Sequence, residues 1–317
     1  MIDVVSSDTF RRLLMAAALG LLLAGCGVLM AGCSGLASSP AGASAGRLPV
    51  VAAESFWGSI ARQLGGDRVA VSSIIVNPNI DPHAYEPSAS DAIALARSKL
   101  AIVNGLGYDS WATKLLTADP DHARGVLNVG DLLGLQQGDN PHQWYSPPTV
   151  RRVSDQIVAD YKRLDPEHAA YFDRQRQRFQ IQGLARYDQL RREIRARFAG
   201  VPVGYSESIF QPLGQDLGLR LMTPVSFATA IAEGSDVTAA DRQTVDAQAR
   251  DHAISVWVFN RQNATPDVQR VNQIAKGAGI PIAAVTETLA PASDSFEQWQ
   301  DAQLSDLLGA LHRATGR

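Results

Sequence analysis

The chain has 317 residues, 45% hydrophobic and 19% charged, and 29 basic against 32 acidic side chains leave a formal net charge of −3. This length permits one large domain or two medium ones, and the composition excludes disorder over most of the chain. A charge so near zero gives no electrostatic footprint for a nucleic-acid partner.

The N-terminus reads as an export segment. Arg11 and Arg12 precede an apolar run, residues 13–23, ending in Leu23-Ala24-Gly25-Cys26, and a second stretch, 28–31, ends in Gly32-Cys33. A short positive region, an apolar region and small residues before a cysteine describe a signal peptide, here with the form of a bacterial lipobox whose thiol is acylated. Cys26 has the better-fitting first lipobox position, whereas Cys33 leaves a small, polar, linker-like start over residues 34–45, so lipidation falls on Cys26 or Cys33. The competing reading is a plain transmembrane anchor, because residues 13–32 approach spanning length. The Arg11-Arg12 pair raises twin-arginine export, although its flanking residues add no support. These are the only two cysteines, so the exported domain carries no disulfide and no thiolate metal site. Any bound metal must use imidazole, carboxylate or water.

Beyond a flexible tether (34–46), strands and helices alternate. Residues 48–53 read as a buried strand, and 56–64 have helical apolar spacing that stops at Gly65-Gly66. Residues 68–76 form a second strand, 77–87 a proline-rich loop, and Ser88 with Asp91 a capping box for a helix to residue 98. Strand 100–103, helix 108–116, strand 126–129 and helix 147–164 follow. Residues 166–198 break the alternation with an apolar stripe that includes Phe172, Phe179, Leu184, Tyr187, Leu190, Ile194 and Phe198. As one helix this segment would span roughly 45 Å, and its arginines read as a solvated face rather than a binding patch. Strands 201–205, 254–259 and 282–285 then alternate with helices 209–217, 239–251 and 266–278, before a last helix at 296–313. The simplest assembly is two parallel-sheet α/β lobes (47–165 and 200–317) joined by one long rigid helix (166–199). No internal repeat marks the halves as duplicates.

Two loops carry the chemistry. Asp81-Pro82-His83-Ala84-Tyr85-Glu86-Pro87 follows a strand, and Asn140-Pro141-His142-Gln143-Trp144-Tyr145-Ser146-Pro147 repeats its scheme: a polar residue, proline, histidine, an aromatic, then proline. Neutral imidazole is the commonest transition-metal ligand, and flanking prolines lower the entropy cost of holding each ring. Either histidine alone is more often an ordinary loop residue; the matching contexts are what single them out. His122, His168, His252 and His312 sit beside charged residues and read as solvated.

With these motifs the sequence resembles the metal-receptor lipoproteins of manganese, zinc and iron ABC importers, the pneumococcal surface adhesin and zinc-uptake receptor family (cluster A-I solute-binding proteins). Asp81 to Pro87 is similar to the family's DPHxYEP loop, and Asn140 to Pro147 to its DPHxWxDP loop. Asn104-Gly105 with Asp109-Ser110-Trp111 resembles its NG…E.W segment. Tyr205-Ser206-Glu207 and Val285-Thr286-Glu287 resemble the segments carrying the third and fourth ligands. The resemblance implies a metal site of His83, His142, Glu207 and Glu287, two ligands from each lobe, with a long helix limiting the hinge. The sequence departs from the pattern at Asn140, where Asp is usual, and at Glu287, also a usual Asp. Glu207 stands where zinc-selective members have His and manganese-type members Glu, and Asn260 where many have Glu.

The expected function is extracytoplasmic binding of a divalent transition metal and delivery to an ABC permease. The protein would sit on the outer face of the cytoplasmic membrane, lipid-anchored, as a monomer and not an enzyme. Two imidazoles and two carboxylates favour Mn²⁺ or Fe²⁺, with Zn²⁺ a close rival because its intrinsic affinity is higher. Binding should weaken below about pH 6, since protonated imidazole cannot ligate. A surface adhesin is the second class considered. A zinc-dependent hydrolase is the third, disfavoured because the His-Glu-x-x-His signature is absent and four protein ligands leave little room for substrate.

Overall fold

The computed structural model describes residues 46–80 and 82–317, apart from the side chain of His83. Cys26, Cys33 and the whole export segment lie outside the described residues, as does the tether through residue 45. Among the described residues no helix is long and apolar enough to cross a membrane.

The first half runs β1 (Leu48–Glu54), α1 (Ser55–Gly65), β2 (Val69–Ile75), α2 (Ala89–Arg97), β3 (Leu100–Val103), α3 (Ser110–Ala118), β4 (Gly125–Asn128) and α4 (Val129–Leu133). A helical passage follows: α5 (Pro147–Leu164), α6 (Ala169–Arg178) and α7 (Ala185–Phe198). The second half runs β5 (Pro202–Tyr205), α8 (Gln211–Asp216), β6 (Arg220–Leu221), α9 (Val225–Ala232), α10 (Ala239–Arg250), β7 (Val256–Asn260), α11 (Pro266–Gly277), β8 (Ile282–Val285) and α12 (Phe296–Thr315). Every strand pairing is parallel, and the two sheets share one order, β2-β1-β3-β4 and β6-β5-β7-β8. The halves thus repeat in topology where no repeat is visible in sequence. β6 and α9 were absent from the sequence expectation; two residues are too few to form an alternating pattern.

Local rules explain the boundaries. The Ser88 side chain accepts from Asp91 N and Ser88 N donates to Asp91 Oδ2 at 2.7 Å, the capping box that starts α2. α1 stops where Gly66 takes φ +50, a backbone that side-chain-bearing residues disfavour. All four residues of β3 are buried, as both faces of a parallel sheet are covered by helices.

The connecting segment is helical from Ala169 to Phe198, but not as one regular α-helix. Residues Phe179–Gly183 form a π turn, closed by Leu184 N donating to Phe179 O at 2.9 Å. The apolar stripe steps by five between Phe179 and Leu184, and by three or four from there to Phe198. A five-residue step stays on one face only if the helix locally widens. Gly183 makes this tolerable: a Cβ there would lie 3.3 Å from the Phe179 ring.

One hydrophobic cluster runs through both halves, including Phe56, Trp144, Tyr187, Tyr205, Phe296 and Trp299. Polar contacts reinforce the junction: Phe296 N donates to Ser59 Oγ at 2.9 Å, and Gln63 Nε2 to Glu297 Oε2 at 2.8 Å. In each sheet the order reverses direction between the first and third strands, β1/β3 and β5/β7, and open α/β folds bind ligands at the carboxyl ends of strands beside such reversals.

Candidate metal centre

The candidate ligands sit where that topology directs them. Glu207 follows β5, Glu287 follows β8, and His142 lies in the loop before α5. All three are buried, and one donor atom from each lies within 4.8 Å of the other two. His142 Nε2 is 3.7 Å from Glu207 Oε1 and 3.4 Å from Glu287 Oε1. The backbone of His83 lies in a short 3-10 turn, Pro82–Ala84; its side chain is outside the described set. Of the other histidines, His122 and His252 are exposed, His168 pairs with Asp165 at 2.8 Å, and His312 lies beside Arg197.

His142 is oriented before any ion arrives. Asn140 Oδ1 accepts from His142 N (3.0 Å) and lies 2.9 Å from Nδ1, with Ser208 Oγ 3.3 Å from the same nitrogen. An amide oxygen only accepts, so Nδ1 carries a hydrogen, and Nε2 is the ring nitrogen turned towards the two carboxylates. The ring is walled by Trp144 and Tyr108, at centroid distances of 5.2 and 6.1 Å.

The second-half ligands are held by one turn at the end of β7. Asn260 Nδ2 and Asn263 Nδ2 donate to Glu207 Oε2 at 2.9 and 3.2 Å. Gln262 Oε1 accepts from the backbone nitrogens of Glu287 (2.6 Å) and Thr288 (2.9 Å). Tyr145, three residues after His142, places its hydroxyl 2.7 Å from both Thr286 O and Gln303 Oε1, tying the His142 loop to the segment that carries Glu287.

Behind the ligands lies a buried acid pair. Asp109 Oδ2 and Oδ1 accept from Asn104 N (2.6 Å) and Gly105 N (2.8 Å), and the fully buried carboxyl of Glu54 lies near enough for the two acids to repel. Burial, then the charge of Asp109, pushes the Glu54 carboxyl well above its usual range. Burial, followed by the charges of Glu287 and Glu54, likewise pushes the Tyr108 phenol up. Asn104 continues this network: Trp57 Nε1 donates to its Oδ1 at 3.1 Å, and its Nδ2 donates to Pro141 O, one residue before His142, at 2.9 Å.

The donor chemistry suits a dication. Two buried carboxylates facing one imidazole nitrogen carry negative charge that burial makes costly and that a divalent ion would neutralise. A small cavity of about 100 Å³, lined in part by Asn79, Ile80, Asn263 and Glu287, opens beside the cluster.

Sequence reasoning passed over Glu54, Tyr108, Gln262 and Asn263. The available signal was an amide-rich turn, Asn260-Arg261-Gln262-Asn263, directly after a strand.

Comparison with known proteins places the chain in a family. Residues 50–310 match the family model described as ZnuA, zinc-uptake complex component A, periplasmic. The manganese-binding lipoprotein MntA of Halalkalibacterium halodurans is 32% identical over 129 residues, covering 39% of this chain and 42% of that protein. The iron-binding protein YfeA of Yersinia pestis is 26% identical over 188 residues, covering 56% of this chain and 59% of that protein. These alignments span about half the length of the relatives they match. The metal ABC transporter substrate-binding lipoprotein FimA of Streptococcus parasanguinis aligns further, at 23% identity over 82% of this chain and 87% of that protein. In fold, the chain is similar to the periplasmic zinc-binding protein TroA of Treponema pallidum (TM-score 0.70, 16% identity, 84% of this chain and 99% of that chain). Because the family model matches most of the chain, across both sheets, the chain belongs to the ZnuA family.

Proposed function

We propose that this chain captures a divalent transition-metal ion outside the cytoplasm and passes it to the permease of an ABC importer. The observation that carries this reading is the convergence of His142 Nε2, Glu207 Oε1 and Glu287 Oε1 in a buried cluster. His83 is the proposed fourth ligand, on the resemblance of its loop. Relatives named as manganese-, iron- and zinc-binding components support the class of cargo. The chain acts as a binding component and not as an enzyme, in keeping with its family.

Mn²⁺ is the favoured cargo and Zn²⁺ the close competitor. Two carboxylates and two imidazoles form a harder, more anionic donor set than three imidazoles, and oxygen-rich sets suit manganese. Zinc lies above manganese in intrinsic affinity at most such sites, so the purified protein need not rank the two ions as the cell does. A lipid on Cys26 or Cys33 would hold the receptor to the outer face of the cytoplasmic membrane, beside its permease.

The test is a metal titration of the chelator-stripped full chain, with Mn²⁺ and Zn²⁺ in turn. One ion per chain is expected, with affinity falling by orders of magnitude in His142→Ala and in His83→Ala. Unchanged titration of His142→Ala would remove the assignment. Metal analysis of protein isolated from its native membrane identifies the ion carried in the cell.

A further inference from the structure

Glu207 presents its two oxygens to different surroundings. Oε1 faces His142 Nε2, whereas Oε2 accepts from both Asn260 Nδ2 (2.9 Å) and Asn263 Nδ2 (3.2 Å). A carboxylate oxygen has two lone-pair directions, so two amide hydrogens engage Oε2 fully. Neither amide can swing away without loss. Asn260 is fully buried, its Oδ1 accepts from Gln262 N at 3.0 Å, and its backbone nitrogen donates to Ser206 Oγ at 2.9 Å. Asn263 Nδ2 also donates to Ile231 O at 3.0 Å. The same contacts settle which end of each amide is nitrogen. The Asn260 carbonyl is taken by a backbone N–H, and Asn263 faces two acceptors.

We propose that Asn260 and Asn263 are specificity-determining residues: by engaging Oε2 they hold Glu207 to one-oxygen ligation and limit how many carboxylate oxygens the site offers a metal ion. The inference rests on the metal-receptor function proposed above. Chelation through both Glu207 oxygens would break two hydrogen bonds in a buried setting and leave the amide donors unsatisfied. Glu287 is treated differently by the same turn, because Gln262 grips its backbone nitrogen. An ion content with four donors, such as Zn²⁺, loses nothing by this arrangement. An ion that prefers a higher coordination number, such as Mn²⁺, is held below it. The donor set remains of the manganese kind, and the amide pair narrows its advantage over zinc.

The experiment compares the full chain with Asn263→Ala and Asn260→Ala, measuring Mn²⁺ and Zn²⁺ affinities by chelator competition and the visible spectrum with Co²⁺ as probe. Asn263 is only half-buried, so its variant keeps the test open if Asn260→Ala fails to fold. The expected result for Asn263→Ala is a shift of the Zn²⁺-to-Mn²⁺ affinity ratio by about tenfold towards Mn²⁺, with weaker Co²⁺ absorption as the coordination number rises. An unchanged ratio, a shift towards zinc, or a parallel loss for both ions overturns the inference and leaves the metal-receptor function standing. Failure of the unsubstituted chain to take up either ion overturns both.

Discussion

Asn140 grips His142 twice through one oxygen, accepting from its backbone nitrogen at 3.0 Å and lying 2.9 Å from Nδ1, while its Nδ2 donates across to Ser208 O at 2.8 Å. Ser208 follows Glu207 directly. One side chain therefore fixes a hydrogen on Nδ1 of the candidate ligand His142 and ties its loop to that of the candidate Glu207. An Asp at this position could accept from His142 but could not donate to the Ser208 carbonyl.

Replacing this group should weaken binding without removing a ligand. Asn140→Ala is expected to lower metal affinity by about 10- to 100-fold, the usual effect of losing the partner of a metal-bound imidazole. Asn140→Asp should fall between the two, because it keeps the His142 contacts and loses the one to Ser208. Calorimetric titration of both variants checks the order; equal loss in both would mean that the Ser208 contact dominates.

Tyr145 joins the two ligand-bearing halves, and its hydroxyl is fully buried between Thr286 O and Gln303 Oε1. Tyr145→Phe leaves Gln303 Oε1 its bond from Thr286 N at 2.7 Å. The expected cost is therefore about 1–2 kcal/mol in urea denaturation, the range for one lost hydrogen bond. No measurable change would show that the tie is dispensable.

The buried acid at Glu54 gives the protein a pH dependence with a definite sign. The folded state keeps a proton on Glu54 to higher pH than the unfolded chain does. Its contribution to stability is thus complete below the unfolded carboxyl range, about pH 4.3, and declines as pH rises above it. Glu54→Gln has no proton to lose and no charge to bury beside Asp109. The variant's stability relative to the parent should grow with pH, by up to about 1.4 kcal/mol per unit. Denaturation of the metal-free proteins at roughly pH 5 and pH 8 tests this; a constant difference would mean that Glu54 is already ionised in the fold.

Metal should also stabilise the whole domain, because its proposed ligands come from both halves and are scattered in the unfolded chain. With free ion at about 1,000 times Kd, the gain is about 4 kcal/mol. Thermal unfolding with and without Mn²⁺ measures it, and His142→Ala should show little of the effect.

Much of the fold was legible along the chain. Ser88 and Asp91 announced a helix start, Gly65-Gly66 a stop, and the apolar run 100–103 a strand, because each depends on contacts within a few residues. The helix expected over residues 166–198 was legible in its buried positions but not in its regularity. The step from Phe179 to Leu184 holds the π turn, and an average helical spacing conceals it. β6 and α9 left too short or too uniform a pattern to stand out.

The sequence by itself determined the type and order of most elements, the two Pro-His loops and the absence of cysteine beyond residue 33, since these follow from residue identity and local spacing. Tertiary structure alone decided that residues 142, 207 and 287 meet, and that a turn of asparagines and glutamine holds two of them. Those groups are separated by tens of residues, and their positions depend on parallel strands ending at a common edge. They depend equally on a single core drawing the two halves together. No local pattern carries that information, because the free energy that fixes it comes from contacts between distant segments.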